Sequence, residues 1–468
     1  MNNHPTGESN DSSAPQPEGK SLSKLMPKAL LEAKQKLKTR LLLWASLVGI
    51  LTGGVGTLFQ VAVHQVILGR EQLIELVKNY TVLNWLVPTV LSAVMVYFAF
   101  LLMRQVAPET GGSGIPQIEG FLNGLLPIRW QIVLPVKFLG GLLALGSGMV
   151  LGREGPTIQM GGSIGKMVGS YFRSSGEQVK TLVAAGAGAG LASAFNAPLA
   201  GILFVSEEMR PNFEDRISSY RAVTLASVMA TIVVGIFLGQ GADIKITKFE
   251  APPLESLLGF AILGICLGVI GYFFNLCLFR TLDWFSNLQG MAYVLTGLYV
   301  GAAIGFLSWL YPPITGGGDE TIFWAFRNEA PSYVLLSLFL LRFALTMFSY
   351  GCGAPGGIFA PMLALATTFS MGGTQQVHDW FQFPFLLPEP DAFAVAGMGA
   401  LVAATVRAPL TAIVLTIEMT DNYLLILPLL VTCLTSTITA HALGGEPIYS
   451  VLLKRNLSRN KISTQIDS

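Results

Sequence analysis

The chain has 468 residues, of which 52% are hydrophobic and only 12% charged, and its formal net charge is +1. Soluble domains carry about 25% charged residues, so this composition excludes a soluble protein and indicates an integral membrane protein. The long apolar runs exclude the alternating pattern of an outer-membrane barrel and favour helices. The near-neutral charge gives no attraction to nucleic acid.

Cysteine and histidine provide no recognisable site. The four cysteines are scattered in apolar sequence, and neither they nor the four histidines show the spacing of metal ligands or of a redox pair. The cysteines are therefore predicted to be small core residues. We expect no disulfide, no metal and no cofactor.

Both ends of the chain are polar and basic. Residues 1–22 are rich in Asn, Ser, Pro and Gly and are predicted to be disordered. The basic segment at 24–40 is predicted to form a partly amphipathic helix, and no signal peptide is evident. Basic residues mark the cytoplasmic side of membrane spans. Since the last residues include Lys454 and Arg455, both termini are predicted to be cytoplasmic.

Eight apolar runs are long enough to predict full membrane spans. They lie at 41–68, 82–103, 132–150, 222–238, 257–278, 292–310, 333–348 and 424–442. Shorter runs, broken by Gly or Pro, lie at 111–122, 156–172, 181–194, 198–209, 359–369, 392–406 and 409–419. Because a span needs ~20 apolar residues, the shorter runs are predicted to be half-helices that meet inside the membrane, enclosed by protein or a water-filled cavity.

An internal repeat divides the chain. Residues 185–207 align without gaps onto 396–418, with the A-P-L of one copy on the A-P-L of the other. Paired halves with matching broken helices point to a transporter-type site at their interface. The predicted organisation is an N-terminal tail with its helix (1–39), a first membrane half (40–240), a linker (241–256), a second membrane half (257–452) and a short tail (453–468).

The GREGP segment at 152–156 places a carboxylate, Glu154, between two apolar runs. Charges among membrane segments are rare and mark ion or proton paths. Gly155 and Pro156 interrupt the chain and begin a new helix, whose free N–H groups attract anions. Glu154 is then either the anion bound there or a group that swings away to admit another anion. A carboxylate that only stabilises a helix start is the alternative.

The GGSGIP segment at 111–116 is another predicted helix start. The Ser113 hydroxyl is placed to donate to an anion beside free backbone N–H groups, or only to cap the helix. The segment also resembles the nucleophile motif of intramembrane serine proteases, whose chemistry needs a histidine base. Only His441 lies near a span, and nothing around it looks like such a site. The protease is therefore a remote alternative.

The GGIFAP segment at 356–361 is the counterpart of the Glu154 loop in the second half. Its glycines allow close approach, and the N–H groups of Ile358 and Phe359 are candidates to face an anion. A Gly-rich contact between membrane helices is the alternative. Phe359 stands where the first half has its carboxylate, so one half alone carries the gate candidate.

Several further polar residues interrupt the apolar sequence. Glu207 and Glu208, followed by Arg210, either pair with that arginine at the membrane edge or include a carboxylate that takes protons from one aqueous side. Glu119 and Lys137 are explained adequately by mutual pairing.

Tyr449, near the end of the chain, is a second candidate hydroxyl donor. The alternative for this residue is a place in an interfacial aromatic belt.

Together these segments resemble a known family. GSGIP from Gly112, GREGP at 152–156 and GGIFAP at 356–361 are similar to the three signatures of CLC chloride channels and transporters. The likeness extends from about residue 40 to about residue 455 and includes the repeat, the EEM at 207–209 and the late Tyr449. It is strongest toward bacterial chloride/proton antiporters.

The resemblance implies an all-α integral membrane fold. Two inverted-topology halves with many broken or half-membrane helices form a homodimer with one pore per subunit. Chloride is implied to be held by Ser113, Tyr449, Ile358 and Phe359, the first two through their hydroxyls and the last two through their N–H groups.

The resemblance also assigns the carboxylates. Glu154 is implied to be the external gate and proton carrier, and Glu208 the internal proton acceptor. Possible supporting residues are Glu119, Lys137, Arg153 and Glu207. Serine at 113 goes with chloride selectivity in the family, and a carboxylate at 208 goes with coupled exchange. Gln117 stands where an acid is common, which leaves the role of Glu119 open.

The function implied is a secondary active transporter, not an enzyme, that exchanges chloride for protons in a bacterial inner membrane. A passive chloride channel on the same fold is the alternative, and the carboxylate of Glu208 favours exchange. Its expected partners are chloride, protons, membrane lipid and a second copy of the chain. The family topology places the dimer interface on helices around 197–235 and 409–440.

Overall fold

The structure is a computed structural model that describes residues 28–209, 213–244, 246, 251–327, 330–381 and 390–466. Two compact units divide the chain, residues 1–40 and 41–468. In the first unit, the described residues from Lys28 onward are helical. The second unit contains every site described below. The predicted disordered segment and Arg210 lie outside the described residues.

The first half of the chain forms eight helices within the described residues. They are α1 (Lys28–Val77), α2 (Leu83–Gln105), α3 (Ile115–Leu122), α4 (Trp130–Gly146), α5 (Glu154–Tyr171), α6 (Gly176–Phe195), α7 (Pro198–Phe204) and α8 (Arg216–Leu238). A π-helical turn, Val205–Met209, continues α7.

Ten more helices follow in the described part of the second half. They are α9 (Leu257–Ser286), α10 (Gly290–Val294), α11 (Thr296–Leu310), α12 (Asp319–Arg327), α13 (Ser332–Gly351), α14 (Phe359–Phe381), α15 (Pro390–Val406), α16 (Pro409–Thr420), α17 (Ile426–Ala442) and α18 (Ile448–Ile466). Apart from one isolated bridge between Gly152 and Gly357, the described residues show no β-structure. The all-α prediction is confirmed.

Six helical segments among the described residues are long and apolar enough to cross a membrane. They are Lys38–Val77, Leu83–Gln105, Arg216–Leu238, Leu254–Ser286, Ser332–Gly351 and Tyr423–Ala442. The two predicted spans at 132–150 and 292–310 are wrong as full spans, because α4 has 17 residues and α11 has 15. The end of α4 is set by a turn at Gly148, whose φ is +90°.

Two of the predicted half-helices are longer than expected. Helix α6 has 20 residues and α14 has 23. A capping box between Ser175 and Gln178 starts α6 ahead of its apolar part. Helix α14 continues past its apolar part through polar residues such as Gln375 and Asp379. Apolar runs therefore locate these helices but understate their length.

The two A-P-L segments have nearly the same backbone. Asn196 and Arg407 both lie in the left-handed region, with φ of 51° and 69°. The next residues, Ala197 (φ −125°, ψ 81°) and Ala408 (φ −122°, ψ 71°), have matching extended conformations. Helices α7 and α16 then begin at the following prolines. The sequence repeat thus corresponds to a repeated turn.

Each of these short helices is capped by a glutamate of the other half. Glu418 accepts from the N–H groups of Ala200 and of the residue before it, at 2.8 and 3.0 Å, at the start of α7. Glu207 accepts from the N–H groups of Thr411 and of the residue before it, at 2.7 and 3.1 Å, at the start of α16. Carboxylates satisfy free N–H groups at helix starts, so this reciprocal pair of caps joins the halves.

The interior is built by helices that are buried along most of their length. In α15 every residue from Ala392 to Val406 is buried, and α6 is buried from Thr181 to Phe195. Helices α5 and α6 touch at Gly161 and Gly186, where neither position has room for a Cβ atom. Small residues let membrane helices approach closely. This packing fixes the start of α5, which carries Glu154.

Candidate functional site

Three loops distant in sequence meet at one place. The N–H of Gly152 donates to the carbonyl of Gly357 at 2.8 Å, and the N–H of Gly357 donates back at 2.7 Å. The N–H of Gly112 donates to the carbonyl of Gly353 at 3.2 Å, and the N–H of Gly356 donates to the carbonyl of Gly112 at 3.0 Å. The three glycine-rich segments singled out from the sequence are therefore hydrogen-bonded to one another.

The joined loops lead directly into helices. Helix α3 begins at Ile115, α5 at Glu154 and α14 at Phe359. Each has a proline in its first turn, where a missing N–H costs no hydrogen bond. The start of a helix carries free N–H groups and partial positive charge. The meeting point is thus equipped to bind an anion through the backbone.

The Glu154 side chain reaches across to the other half. It is fully buried, and its Oε1 accepts the N–H of Phe359 at 2.7 Å. Its Oε2 has no hydrogen-bond partner among the described residues. Gly357 makes room for it, since a Cβ there would lie 2.6 Å from the Glu154 carboxyl carbon and 2.8 Å from the nitrogen of Gly155. The carboxylate occupies the anion position at the start of α14, not only the start of its own helix.

Ser113 lies beside this position. It is 1% exposed and stands just before Gly114, whose φ of +79° turns the chain into α3. The Ser113 Oγ accepts the N–H of Ile115 at 3.3 Å, and it lies 3.5 Å from the hydroxyl of Tyr350. The hydroxyl is therefore held at a helix start, as the sequence predicts.

Tyr449 lies in the first turn of α18 and is fully buried. Its ring stacks on that of Phe359, with centroids 6.2 Å apart, and the Phe204 ring packs edge-on against Phe359 at 6.1 Å. The Tyr449 hydroxyl has no hydrogen-bond partner among the described residues. A buried hydroxyl without a partner is costly, so this donor is suited to a bound anion. Ile358, at the start of α14, is also fully buried.

Lys137 supports the Ser113 loop. Its ammonium group is fully buried and donates to the carbonyl oxygens of Thr110 at 2.9 Å and Gly112 at 2.6 Å. The predicted pairing with Glu119 is wrong as a salt bridge, because the Lys137 ammonium group binds these two carbonyls instead. Glu119 lies half-buried in α3. These carbonyls are available to the ammonium group because Thr110 ends a short 3-10 helix and Gly112 lies in the turn after it.

Arg153 connects the Glu154 loop to its surroundings. Its guanidinium group lies 2.7 Å from the carboxylate of Asp243 and 3.7 Å from that of Asp319, and its Nε donates to the carbonyl of Ala194 at 3.1 Å. Asp243 belongs to the segment between α8 and α9, and Asp319 begins α12. Arg153 is therefore held by three separate elements.

The two neighbouring glutamates after α7 face different surroundings. Glu207 caps α16, as described above. Glu208 is 8% exposed, whereas Glu154 and Tyr449 are fully buried. Glu207 thus acts on a helix start, while Glu208 keeps a small exposed surface.

The protease alternative finds no support in the geometry. Ser113 is buried, whereas the three described histidines, His64, His378 and His441, are exposed. The hydroxyl contacts an amide and a tyrosine, not a base. Among the described residues there is also no group of His, Cys, Asp and Glu that could hold a metal ion.

Sequence reasoning missed three of the residues that surround the site. Tyr350 lies just after the predicted span at 333–348 and carries no motif, although it precedes the GGIFAP segment by six positions. Asp243 and Asp319 belong to polar connections that carry no motif, and nothing in their spacing links them to Arg153.

The chain is similar to known proteins over most of its length. The family model described as voltage gated chloride channel matches residues 95–441. The H(+)/Cl(-) exchange transporter ClcA of Vibrio cholerae serotype O1 is 47% identical over 452 residues, which cover 95% of this chain and 96% of that protein.

Solved structures are similar as well. A slow cyanobacterial Cl-/H+ antiporter is 51% identical, with a TM-score of 0.88, and the match covers 90% of this chain and 99% of the antiporter chain. A CLC-type fluoride/proton antiporter is 19% identical, with a TM-score of 0.71 over 88% of this chain and 97% of that one, a likeness of fold alone. The predicted resemblance and fold are confirmed.

Proposed function

We propose that this chain, which belongs to the voltage gated chloride channel family, exchanges chloride for protons across a membrane. One observation carries the proposal: the buried carboxylate of Glu154 accepts the N–H of Phe359, a donor that also suits a chloride ion. A single N–H group cannot serve both anions at once. The relatives in Vibrio cholerae and in a cyanobacterium are named as exchangers of the same two ions.

Chloride binds between hydroxyl and amide donors. The donors are the hydroxyls of Ser113 and Tyr449 and the N–H groups of Ile358 and Phe359. Support comes from the unpartnered, buried Tyr449 hydroxyl and from the helix starts at Ile115 and Phe359. Partial charges from helix ends and hydroxyls bind an anion weakly enough for it to leave again.

Glu154 links anion occupancy to protonation. When it takes up a proton it loses its negative charge and its advantage over chloride at the Phe359 N–H. Chloride then enters, and loss of the proton returns the carboxylate to the same donor. Glu154 is thus the gate on the external side, where the movement of the anion is coupled to the uptake and loss of a proton.

Glu208 delivers protons from the internal side. It is largely buried, yet 8% of its surface is exposed, whereas Glu154 is fully buried. Glu207, Lys137 and Arg153 support the site by holding helix and loop backbones, and Glu119 lies half-buried in α3. A passive chloride channel needs no internal carboxylate, so Glu208 favours exchange.

The protein is an integral membrane protein of this family, and we place it in a bacterial inner membrane as a homodimer surrounded by lipid. Lys454 and Arg455 in α18 favour a cytoplasmic C-terminus. The bacterial relatives support the choice of membrane. The basic sequence at 24–40 favours a cytoplasmic N-terminus as well.

Reconstitution in liposomes tests the proposal. Under an imposed chloride gradient, we expect the wild type to drive protons uphill, recorded as a change in external pH. Glu154→Ala is expected to keep chloride flux and lose proton movement, because the gate and proton carrier are gone. Glu208→Gln is expected to lose proton movement alone, since chloride does not contact it.

The results of this experiment distinguish an exchanger from a passive channel and test the roles of the two glutamates. Chloride flux without proton movement in the wild type would establish a passive channel. Proton pumping retained in Glu154→Ala would remove the gate assignment, and unchanged proton flux in Glu208→Gln would remove the internal acceptor. Absence of chloride flux in the wild type contradicts the proposal as a whole.

A further inference from the structure

Tyr350 is a buried hydroxyl at the anion site that the proposed mechanism does not use. It occupies the last turn of α13 and is 3% exposed. Its hydroxyl accepts the N–H of Ser113 at 3.4 Å and donates to the Oγ of Ser113 at 3.5 Å. Both contacts are at the long end of the hydrogen-bond range, but they converge on the one serine that faces the proposed chloride.

The backbone fixes Tyr350 against this serine. The N–H of Gly353 donates to the carbonyl of Tyr350 at 2.9 Å, and the carbonyl of Gly353 accepts the N–H of Gly112 at 3.2 Å. Gly112 has a φ of +62°, and a Cβ there would lie 3.2 Å from the Tyr350 hydroxyl. The end of α13 and the Ser113 loop are thus joined on either side of the hydroxyl contact.

The hydrogen bonds that the Ser113 hydroxyl accepts determine what it can still donate to. A serine hydroxyl has one hydrogen and two acceptor lone pairs. The Oγ accepts from the N–H of Ile115 at 3.3 Å and from the hydroxyl of Tyr350 at 3.5 Å. With both lone pairs engaged, the hydrogen of Ser113 remains to be donated to a third group.

We propose that Tyr350 is a positioning residue of the anion site, whose hydroxyl holds Ser113 as a hydrogen-bond donor toward chloride and thereby raises chloride affinity. The inference rests on the proposed function, since it takes chloride as the ligand of Ser113. Without the Tyr350 hydroxyl, one lone pair of the Ser113 Oγ is free and the Ser113 N–H loses its acceptor. The serine then turns more freely, and its donor is no longer directed at the anion.

Chloride titration calorimetry on the purified, full-length protein tests this proposal. Tyr350→Phe keeps the ring and removes only the hydroxyl, and we expect chloride to bind about three- to tenfold more weakly. The matched control is Tyr299→Phe, which removes a hydroxyl from an exposed tyrosine of α11. The control is expected to bind chloride like the wild type.

A double-mutant cycle separates positioning from a general loss of structure. If Tyr350 acts through Ser113, Tyr350→Phe lowers affinity in the wild type but has no further effect in Ser113→Ala. An equal loss in both backgrounds overturns the proposal, as does an unchanged affinity in Tyr350→Phe. Absence of chloride binding to the wild type overturns the proposed function and this inference together, so the two failures are distinguishable.

Discussion

The proposed exchange of chloride for protons depends on one hydrogen bond of Glu154. Its Oε1 lies 2.7 Å from the nitrogen of Phe359, at the start of a helix in the other half. A carboxylate and a chloride ion compete for the same N–H group because both are anions and both complement the positive end of α14. The competition ends when the carboxylate takes up a proton. Anion affinity and protonation are therefore linked at this residue.

The linkage predicts how chloride affinity depends on pH. Lowering the pH protonates Glu154 and frees the Phe359 N–H, so we expect chloride to bind more tightly in acid. One proton taken up per anion bound sets a limit of about tenfold in affinity for each pH unit. Titration calorimetry of chloride at several pH values measures this slope.

The matched variant for this measurement is Glu154→Gln, which keeps the size of the side chain and cannot be deprotonated. Its chloride affinity is expected to be independent of pH over the same range. A variant that retains the wild-type slope would show that a group other than Glu154 binds the proton linked to chloride.

Several site residues are predictable from the sequence because the chemistry of each is local. Ser113, Glu154 and Phe359 stand at glycine-rich helix starts, and the structure brings all three together. Tyr350 is not predictable, because its contact with Ser113 spans 237 positions and depends on how α13 ends. Lys137 was assigned the wrong partner because sequence spacing shows charged side chains but not the exposed carbonyls of a turn.

At the scale of elements, the reciprocal caps explain why two charged residues lie beside apolar helices. Glu207 and Glu418 occupy equivalent positions in the repeat, and each satisfies the helix start of the opposite half. The repeat was visible in the sequence, but the exchange of caps was not, since an alignment shows which positions correspond and not which ones touch. The full lengths of α6 and α14 were not predictable for a related reason, because their polar turns carry no apolar signal.

Removal of one cap is expected to lower the stability of the protein without changing the coupling of chloride to protons. Glu418→Ala leaves two N–H groups at the start of α7 without their acceptor, at a cost of about 1 kcal/mol. We expect a lower unfolding midpoint in detergent and an unchanged ratio of chloride to protons in liposomes. Glu255→Ala, at an exposed glutamate before α9, is the control and is expected to leave the midpoint unchanged. A stable Glu418→Ala protein with altered coupling would instead place Glu418 on the proton path.

At the scale of the whole molecule, one chain contains the complete site. Ser113, Glu154, Phe359 and Tyr449 come from four helix starts of the same subunit. The exposed apolar side chains of α8 and α17, among them Ile232 and Leu434, lie on the surface predicted to form the dimer. In the proposed homodimer, association would place two sites side by side, each built from the residues of one chain.

This arrangement predicts that a monomer is still an exchanger. Tryptophan at Ile232 and Leu434, which are 48% and 45% exposed, is expected to disrupt the fit between two copies. Light scattering in detergent is expected to report a monomer, and liposomes are expected to retain coupled chloride and proton movement. Leu341→Trp, on α13 and equally exposed at 48%, is the control and is expected to remain dimeric. A dimer that persists in the double variant would contradict the predicted interface, and a monomer that loses exchange would mean that the site depends on its neighbour.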